Sequence, residues 1–283
     1  MKLIERNFYL DKLKNVMGTP DIKVITGVRR CGKSKLMDAF IEWIKESVKD
    51  ANLIHINFNL LEFDSIKTAL ALHSYVEERY QKGKTNFLLI DEVQLCTDFE
   101  KVINSFHASE KYDIYITGSN AFLLSSDLAT LFTGRVFQIQ VFPFSFSEYQ
   151  KYFAISNIED AFDSFVKEGG MAGSFVYKSL EEKYAYIKDV FDTLIIRDIV
   201  QKYKIKNGLL LDKLNNFLLD NISTEVSIRK IADTLTSNKE NTNHKTIGSY
   251  LNYLCNAFAF YKVRRYDIRG KKYLASQDKY YLA

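Results

Sequence analysis

The segment Gly27-Val28-Arg29-Arg30-Cys31-Gly32-Lys33-Ser34 constrains this chain more than any other. It follows Lys23-Val24-Ile25-Thr26, a short run without the polar alternation of a half-exposed strand, as expected of a buried parallel one. It precedes Leu36, Met37, Phe40, Ile41, Ile44 and Val48, which recur at helical spacing. Strand, Gly-x-x-x-x-Gly-Lys-Ser turn, then helix is the Walker A pattern of a phosphate-binding loop. The glycines let the loop curl so that backbone N–H groups point inward at phosphate oxygens. The helix that begins near Lys33 turns the positive end of its dipole toward the same place. Lys33 then bridges the β- and γ-phosphates, and the Ser34 hydroxyl binds Mg²⁺. Lys35, next along, completes the expected contact set. Arg29 and Arg30 have three readings: phosphate contacts, contacts to an acidic partner, or charges facing water.

A second segment strengthens the first. Phe87-Leu88-Leu89-Ile90-Asp91-Glu92 is an apolar strand closed by two carboxylates, about 60 residues after the loop, as in a Walker B motif. Asp91 is expected to support Mg²⁺ through water, and Glu92 to orient and deprotonate the attacking water. A further strand, Asp113–Thr117, runs into Gly118-Ser119-Asn120. Ligands in open α/β sheets sit at the carboxyl ends of strands. Ser119 and Asn120 are therefore both candidates to touch the γ-phosphate or the water. No Asn-Lys-x-Asp segment for reading guanine is present, which favours ATP over GTP.

Strands over 23–26, 53–58, 86–90, 113–117 and 136–141 alternate with helices over 36–48, 66–81 and 98–109, after an amphipathic helix over 5–16. That alternation predicts an α/β fold whose parallel sheet is flanked by helices on both faces. From 146 to 220 the pattern is helical only, broken at Gly169-Gly170 and Gly173. After 221 it reads helix (227–235), helix (243–258), then strands 260–266 and 272–275 about a turn at Asp267-Ile268-Arg269-Gly270, a winged-helix pattern. The expected domains are 1–150, 151–220 and 221–283. Cys31, Cys96 and Cys255 are too few and too scattered for a disulfide framework. With no long apolar run and no apolar leader, the expectation is a cytoplasmic protein without a membrane span.

Taken together, the chain resembles the AAA-type P-loop ATPases of bacteria and archaea that carry a C-terminal winged helix and a further domain of unknown function. The resemblance rests on Ile4-Glu5-Arg6-Asn7-Phe8-Tyr9-Leu10, the two motifs above, Thr117–Asn120, Leu131-Phe132-Thr133-Gly134-Arg135 and Phe142-Pro143-Phe144-Ser145-Phe146-Ser147-Glu148-Tyr149. It implies an ATPase core, a helical lid, nucleotide held between them, and a winged helix. It also implies further chain beyond the wing. Arg6 and Tyr9 match family positions near the adenine base, with Tyr9 equally readable as core. Arg135 is a candidate arginine finger, acting on its own or a neighbour's nucleotide, or else a structural arginine. Cys31 stands where serine is usual, and a redox role beside Lys33 is the sharper of its readings.

Charge divides unevenly. The net charge is +4, yet residues 221–283 carry 11 Lys+Arg against 5 Asp+Glu. Lys262, Arg264, Arg265, Arg269, Lys271 and Lys272 interleave with Tyr266 and Tyr273. Such a wing suits DNA phosphates, with 243–273 as the contact region. A solvated hairpin, or a module docked on a protein partner or a second copy, is the alternative. Three functions are consistent with all this: an Mg²⁺–ATP hydrolase that moves lid and winged helix, a nucleotide-gated switch with little turnover, and a DNA-binding regulator.

Overall fold

The computed structural model describes residues 6–118, 132, 134–237, 240, 242–266 and 277–283. The chain divides into two compact units, 1–187 and 188–283.

Five parallel strands form the sheet of the first unit: β1 (Ile22–Gly27), β2 (Ala51–Asn57), β3 (Thr85–Asp91), β4 (Tyr112–Thr117) and β5 (Val136–Val141), in the order β2-β3-β4-β1-β5. The expected α/β architecture is the one observed. Alternate side chains leave opposite faces of a strand. Ile22 and Val24, Ile54 and Ile56, Leu88 and Ile90, and Ile114 and Ile116 therefore share one apolar layer. Helices α3 (Ala69–Glu77) and α4 (Phe99–Ser109) cover that layer, with Leu72, Val76, Val102, Ile103 and Phe106 buried in it. Tyr115 belongs to the opposite face. Its ring lies 4.9 Å from that of Phe40 on α2 (Lys33–Ser47), and α2 packs beside α1 (Asn7–Asn15).

A lysine is buried inside the sheet. Lys23 on β1 is fully buried, and its ammonium donates to Asp113 Oδ1 at 2.6 Å and to Thr19 O at 2.5 Å. Asp113 Oδ2 also accepts from Gly18 N and the Tyr115 hydroxyl. A buried ion pair of this kind survives because its remaining hydrogen bonds are satisfied. Burial, then the adjacent Asp113 charge, pushes the Tyr115 hydroxyl far above its ordinary range.

Two helices follow β5: α5 (Phe146–Phe153) and α6 (Ile158–Glu168). Ser145 and Glu148 form a reciprocal capping box at the start of α5, and Asn157 caps α6. Phe144, Tyr149 and Phe175 make a small aromatic core between them. Gly170 permits the chain to close here: a Cβ on it would lie 2.2 Å from Phe144 O. A 3₁₀ turn (Ala172–Val176) leads into α7 (Leu180–Thr193).

In the second unit a π-helical stretch, Leu194–Gln201, precedes α8 (Gly208–Asp220), α9 (Ile228–Ser237) and α10 (His244–Asn256). Asn243 caps α10 by accepting from Lys245 N and Thr246 N. A three-stranded antiparallel sheet, β6-β8-β7, is built from β6 (Glu225–Val226), β7 (Phe260–Val263) and β8 (Asp278–Leu282). Among the described residues β7 pairs with 278–282, where Tyr280 is buried and Lys262 pairs with Asp278 at 2.7 Å. The expected turn at 267–270 and the strand at 272–275 lie outside the described residues. No helix among the described residues is long and apolar enough to cross a membrane.

Candidate active site

The loop after β1 has a backbone that only glycine fits at its first position. Gly27 has φ +149°, and a Cβ there would meet Val141 O at 2.1 Å and Cys31 Sγ at 2.9 Å. Arg30 turns left-handed at φ +63°, and Gly32 at φ +98° begins α2. Lys33 is buried, and its Nζ donates to Gly27 O at 3.0 Å and Val28 O at 3.1 Å, so the ammonium lies across the loop. Ser34 follows in the first turn of α2, where unpaired N–H groups and the helix dipole favour an anion. Lys35 points to solvent and pairs with Asp38, whose hydrogen bond and charge raise the lysine above its ordinary pKa. Cys31 is buried against Gly27, without the exposure that a redox role requires. Its carbonyl faces Arg6. Arg29 is half-buried. Arg30 is exposed, and its guanidinium stands 5.2 Å from the Tyr186 ring.

Strand order brings the carboxylates to this loop. β3, β4 and β1 are consecutive neighbours, with Ile90 beside Ile116 and Ile25 beside Thr117. The carboxyl ends of all three strands therefore meet at one edge, with adjacent strands about 4.8 Å apart. Asp91 is buried there. Its Oδ1 accepts a hydrogen bond from the Thr117 hydroxyl, while Oδ2 has no hydrogen-bond partner among the described residues. Glu92 leaves the strand in a left-handed turn at φ +55°. Its N–H donates to Thr117 Oγ1 at 3.2 Å, and its Oε2 accepts a short hydrogen bond from the Gln94 amide. Ser119 and Asn120 lie outside the described residues.

Arg6, read above as near the adenine base, is held by contacts within the first unit. Its Nε and Nη2 grip the Glu148 carboxylate at 2.7 and 3.0 Å, Nη1 donates to Cys31 O at 3.0 Å, and Nη2 also reaches Pro143 O at 3.4 Å. The rings of Tyr9 and Phe144 flank it at 4.5 and 4.9 Å. The guanidinium is thus committed to a strut under the phosphate loop. Tyr9 is core, its hydroxyl accepting from Phe142 N. Burial alone would raise the Glu148 carboxyl, but hydrogen bonds from Arg6 and Ser145, with the arginine's charge, outweigh it and hold the group below its ordinary range.

Arg135 stands at the other edge of the sheet. Its carbonyl accepts from Ile22 N at the start of β1, and its side chain is exposed. Gly27 is five residues further along β1, about 17 Å of strand away. The geometry does not bring Arg135 to its own phosphate loop.

Sequence reasoning missed Thr117 and Glu148. A threonine at a strand end is ordinary until the neighbouring strand is known. Glu148 carried a usable signal, the Ser-x-x-Glu spacing of a capping box, but its second role with Arg6 did not.

A family model described as an AAA domain matches residues 19–150, and one described as a domain of unknown function (DUF8612) matches 159–283. An uncharacterized protein of Haemophilus influenzae is 35% identical, over 99% of this chain and 71% of its own length. An uncharacterized protein of Methanocaldococcus jannaschii is 28% identical, over 95% of this chain but 61% of its own length. Among solved structures, the Aeropyrum pernix Orc1 protein in complex with DNA is similar with a TM-score of 0.41 and 12% identity, over 99% of this chain and 90% of that one. AMPPCP-bound DnaA from Aquifex aeolicus is similar with a TM-score of 0.39 and 15% identity, over 89% of each chain. With the Haemophilus relative matched over most of its length and the two family models adjacent along the sequence, this chain belongs to an AAA-domain family that joins its P-loop core to a domain of unknown function.

Proposed function

We propose that the chain binds ATP with Mg²⁺ at the carboxyl edge of β1, β4 and β3 and hydrolyses it. The observation that carries this reading is the Asp91 carboxylate: buried, fixed on one oxygen by Thr117, unpartnered on the other among the described residues, and at the same carboxyl edge of the sheet as the glycine-rich loop. An unpartnered buried carboxylate oxygen is costly unless something satisfies it, and oxygen donors of this kind suit Mg²⁺ and its waters. Ser34 and Asp91 would hold the ion, which when bound withdraws charge from the phosphate oxygens. Loop N–H groups and Lys33 bind the β- and γ-phosphates. Glu92 accepts the proton of the attacking water. Ser119 or Asn120 contacts the γ-phosphate. Arg135, at the far edge of its own sheet, serves a nucleotide only in a neighbouring copy.

In this reading residues 1–150 are the ATPase core, 151–220 a lid and 221–283 a winged helix that moves with the nucleotide state. The order α8, β6, α9, α10, β7, β8 supports the last assignment. A second reading, a nucleotide-gated switch, is favoured by one contact: the Gln94 amide already holds the Glu92 carboxylate, which must be released before it can orient a water.

The deciding measurement is Mg²⁺-dependent ATP turnover by the purified chain beside Glu92→Gln. Turnover that vanishes in the variant while ATP still binds supports the hydrolase. Binding without turnover in either protein supports the switch. Absence of ATP binding overturns both.

A further inference from the structure

We propose that Thr117 is a positioning residue of this site, whose single hydroxyl sets both Asp91 and Glu92; the inference rests on the nucleotide-binding reading above. Thr117 is fully buried at the end of β4, one strand from β3 on one side and β1 on the other. Its hydroxyl donates to Asp91 Oδ1 and accepts from Glu92 N–H at 3.2 Å. One hydroxyl offers one donor and two acceptor sites, so both bonds are made at once.

The consequences differ for the two carboxylates. By occupying Oδ1, Thr117 fixes the rotation of the Asp91 side chain and leaves Oδ2 as its oxygen unpaired among the described residues. That is the behaviour of a group that orients a metal-supporting ligand without touching the metal. By accepting from the Glu92 N–H, it holds the first peptide of a left-handed turn that a non-glycine residue adopts only at a cost. The same atom therefore aims the metal side and the base side of the site.

The test uses Thr117→Val, which keeps the branched shape and loses the hydroxyl, and Thr117→Ser, which keeps the hydroxyl. Binding of a fluorescent ATP analogue is titrated with and without Mg²⁺, and turnover is followed at rising Mg²⁺. In Thr117→Val the Mg²⁺ needed for half-maximal response rises about tenfold or more, the usual range for loss of an orienting partner, while Mg²⁺-free nucleotide affinity stays at the wild-type value. Thr117→Ser restores the wild-type Mg²⁺ response. If Thr117→Val fails to fold, Thr117→Ala, which leaves room for a water, is measured in its place. A wild-type Mg²⁺ response in the hydroxyl-free variant overturns the proposal, and so does a Ser variant as impaired as Val, since that assigns the effect to packing. If the wild-type chain binds nucleotide with no response to Mg²⁺, the metal reading itself fails, a different result from failure of Thr117 alone.

Discussion

An alanine at position 27 would put its Cβ 2.1 Å from a backbone oxygen of β5, at a φ of +149°. Backbone cannot swing aside as a side chain can, so the loop must move. Gly18, at φ +73° with open space around it, is the control. Gly18→Ala costs only left-handed strain, about 1–2 kcal/mol. Gly27→Ala costs more than that in thermal unfolding and weakens binding of a fluorescent ATP analogue by tenfold or more, about 1.4 kcal/mol. Equal effects of the two substitutions would show that the loop has more room than its geometry indicates. Residues such as Gly27, Gly32 and Lys33 were legible in the sequence because the phosphate loop demands those types at those intervals. Thr117 was not, because its role exists only through the neighbour that β4 acquires in the sheet.

Helices and strands were legible where one period ran long enough. The five parallel strands were located to within two residues, since each concentrates β-branched and aromatic residues between turn-forming stretches, unbroken in β3 and interrupted by polar residues in β2 and β5. β6, two residues long, has no period to read. β8 went unread because Asp278-Lys279-Tyr280-Tyr281-Leu282 mixes charge with aromatics, and its place is set by pairing with β7 and β6. The strut between the start of the chain and α5 is the element-scale feature with a measurable signature. Removing one partner of a buried ion pair leaves the other uncompensated, at a cost of about 3 kcal/mol. Arg6→Ala and Glu148→Gln should therefore lower the melting temperature of the chain at neutral pH. The Glu148 carboxyl is held below its ordinary range, so the folded state binds its proton less readily than the unfolded chain does. The stability gained is present above the ordinary carboxylate pKa and is lost as pH falls through the lowered one. The gap between wild type and Glu148→Gln should close across that acid range. A gap that stays constant down to strongly acid pH would remove the ionic part of the strut.

At the scale of the whole molecule, the two units differ in chemistry. The phosphate loop and carboxylates belong to 1–187, whereas the excess of basic residues lies beyond 221. Arg264 and Arg265 follow β7 and are exposed, while Lys262 is paired with Asp278. We expect the full chain to bind short duplex DNA at low salt, with affinity falling as salt rises. Arg264→Ala and Arg265→Ala should each weaken binding across sequences and reduce the slope of log affinity against log salt by about one. DNA affinity indistinguishable from zero at low salt would remove this surface as a nucleic-acid contact. The three-part division expected from sequence followed changes of pattern at 150 and 220. By compactness the chain divides within α7, and helices 146–168 fold onto their own aromatic cluster beside the strut.

The strand order also sets when the site can exist. β1 pairs only with β4 and β5, both of which come later in the chain, whereas β2 finds its neighbour in β3, the next strand made. During synthesis from the amino end, a nascent chain that has emerged only through β3 has a phosphate loop whose own strand lacks both of its sheet neighbours. Entry of β4 between β1 and β3 joins them and brings Thr117 beside Asp91. On the nucleotide-binding proposal, we therefore expect a ribosome-bound chain to capture nucleotide only after residue 117 has cleared the tunnel, which binding of a fluorescent ATP analogue to arrested chains of increasing length checks.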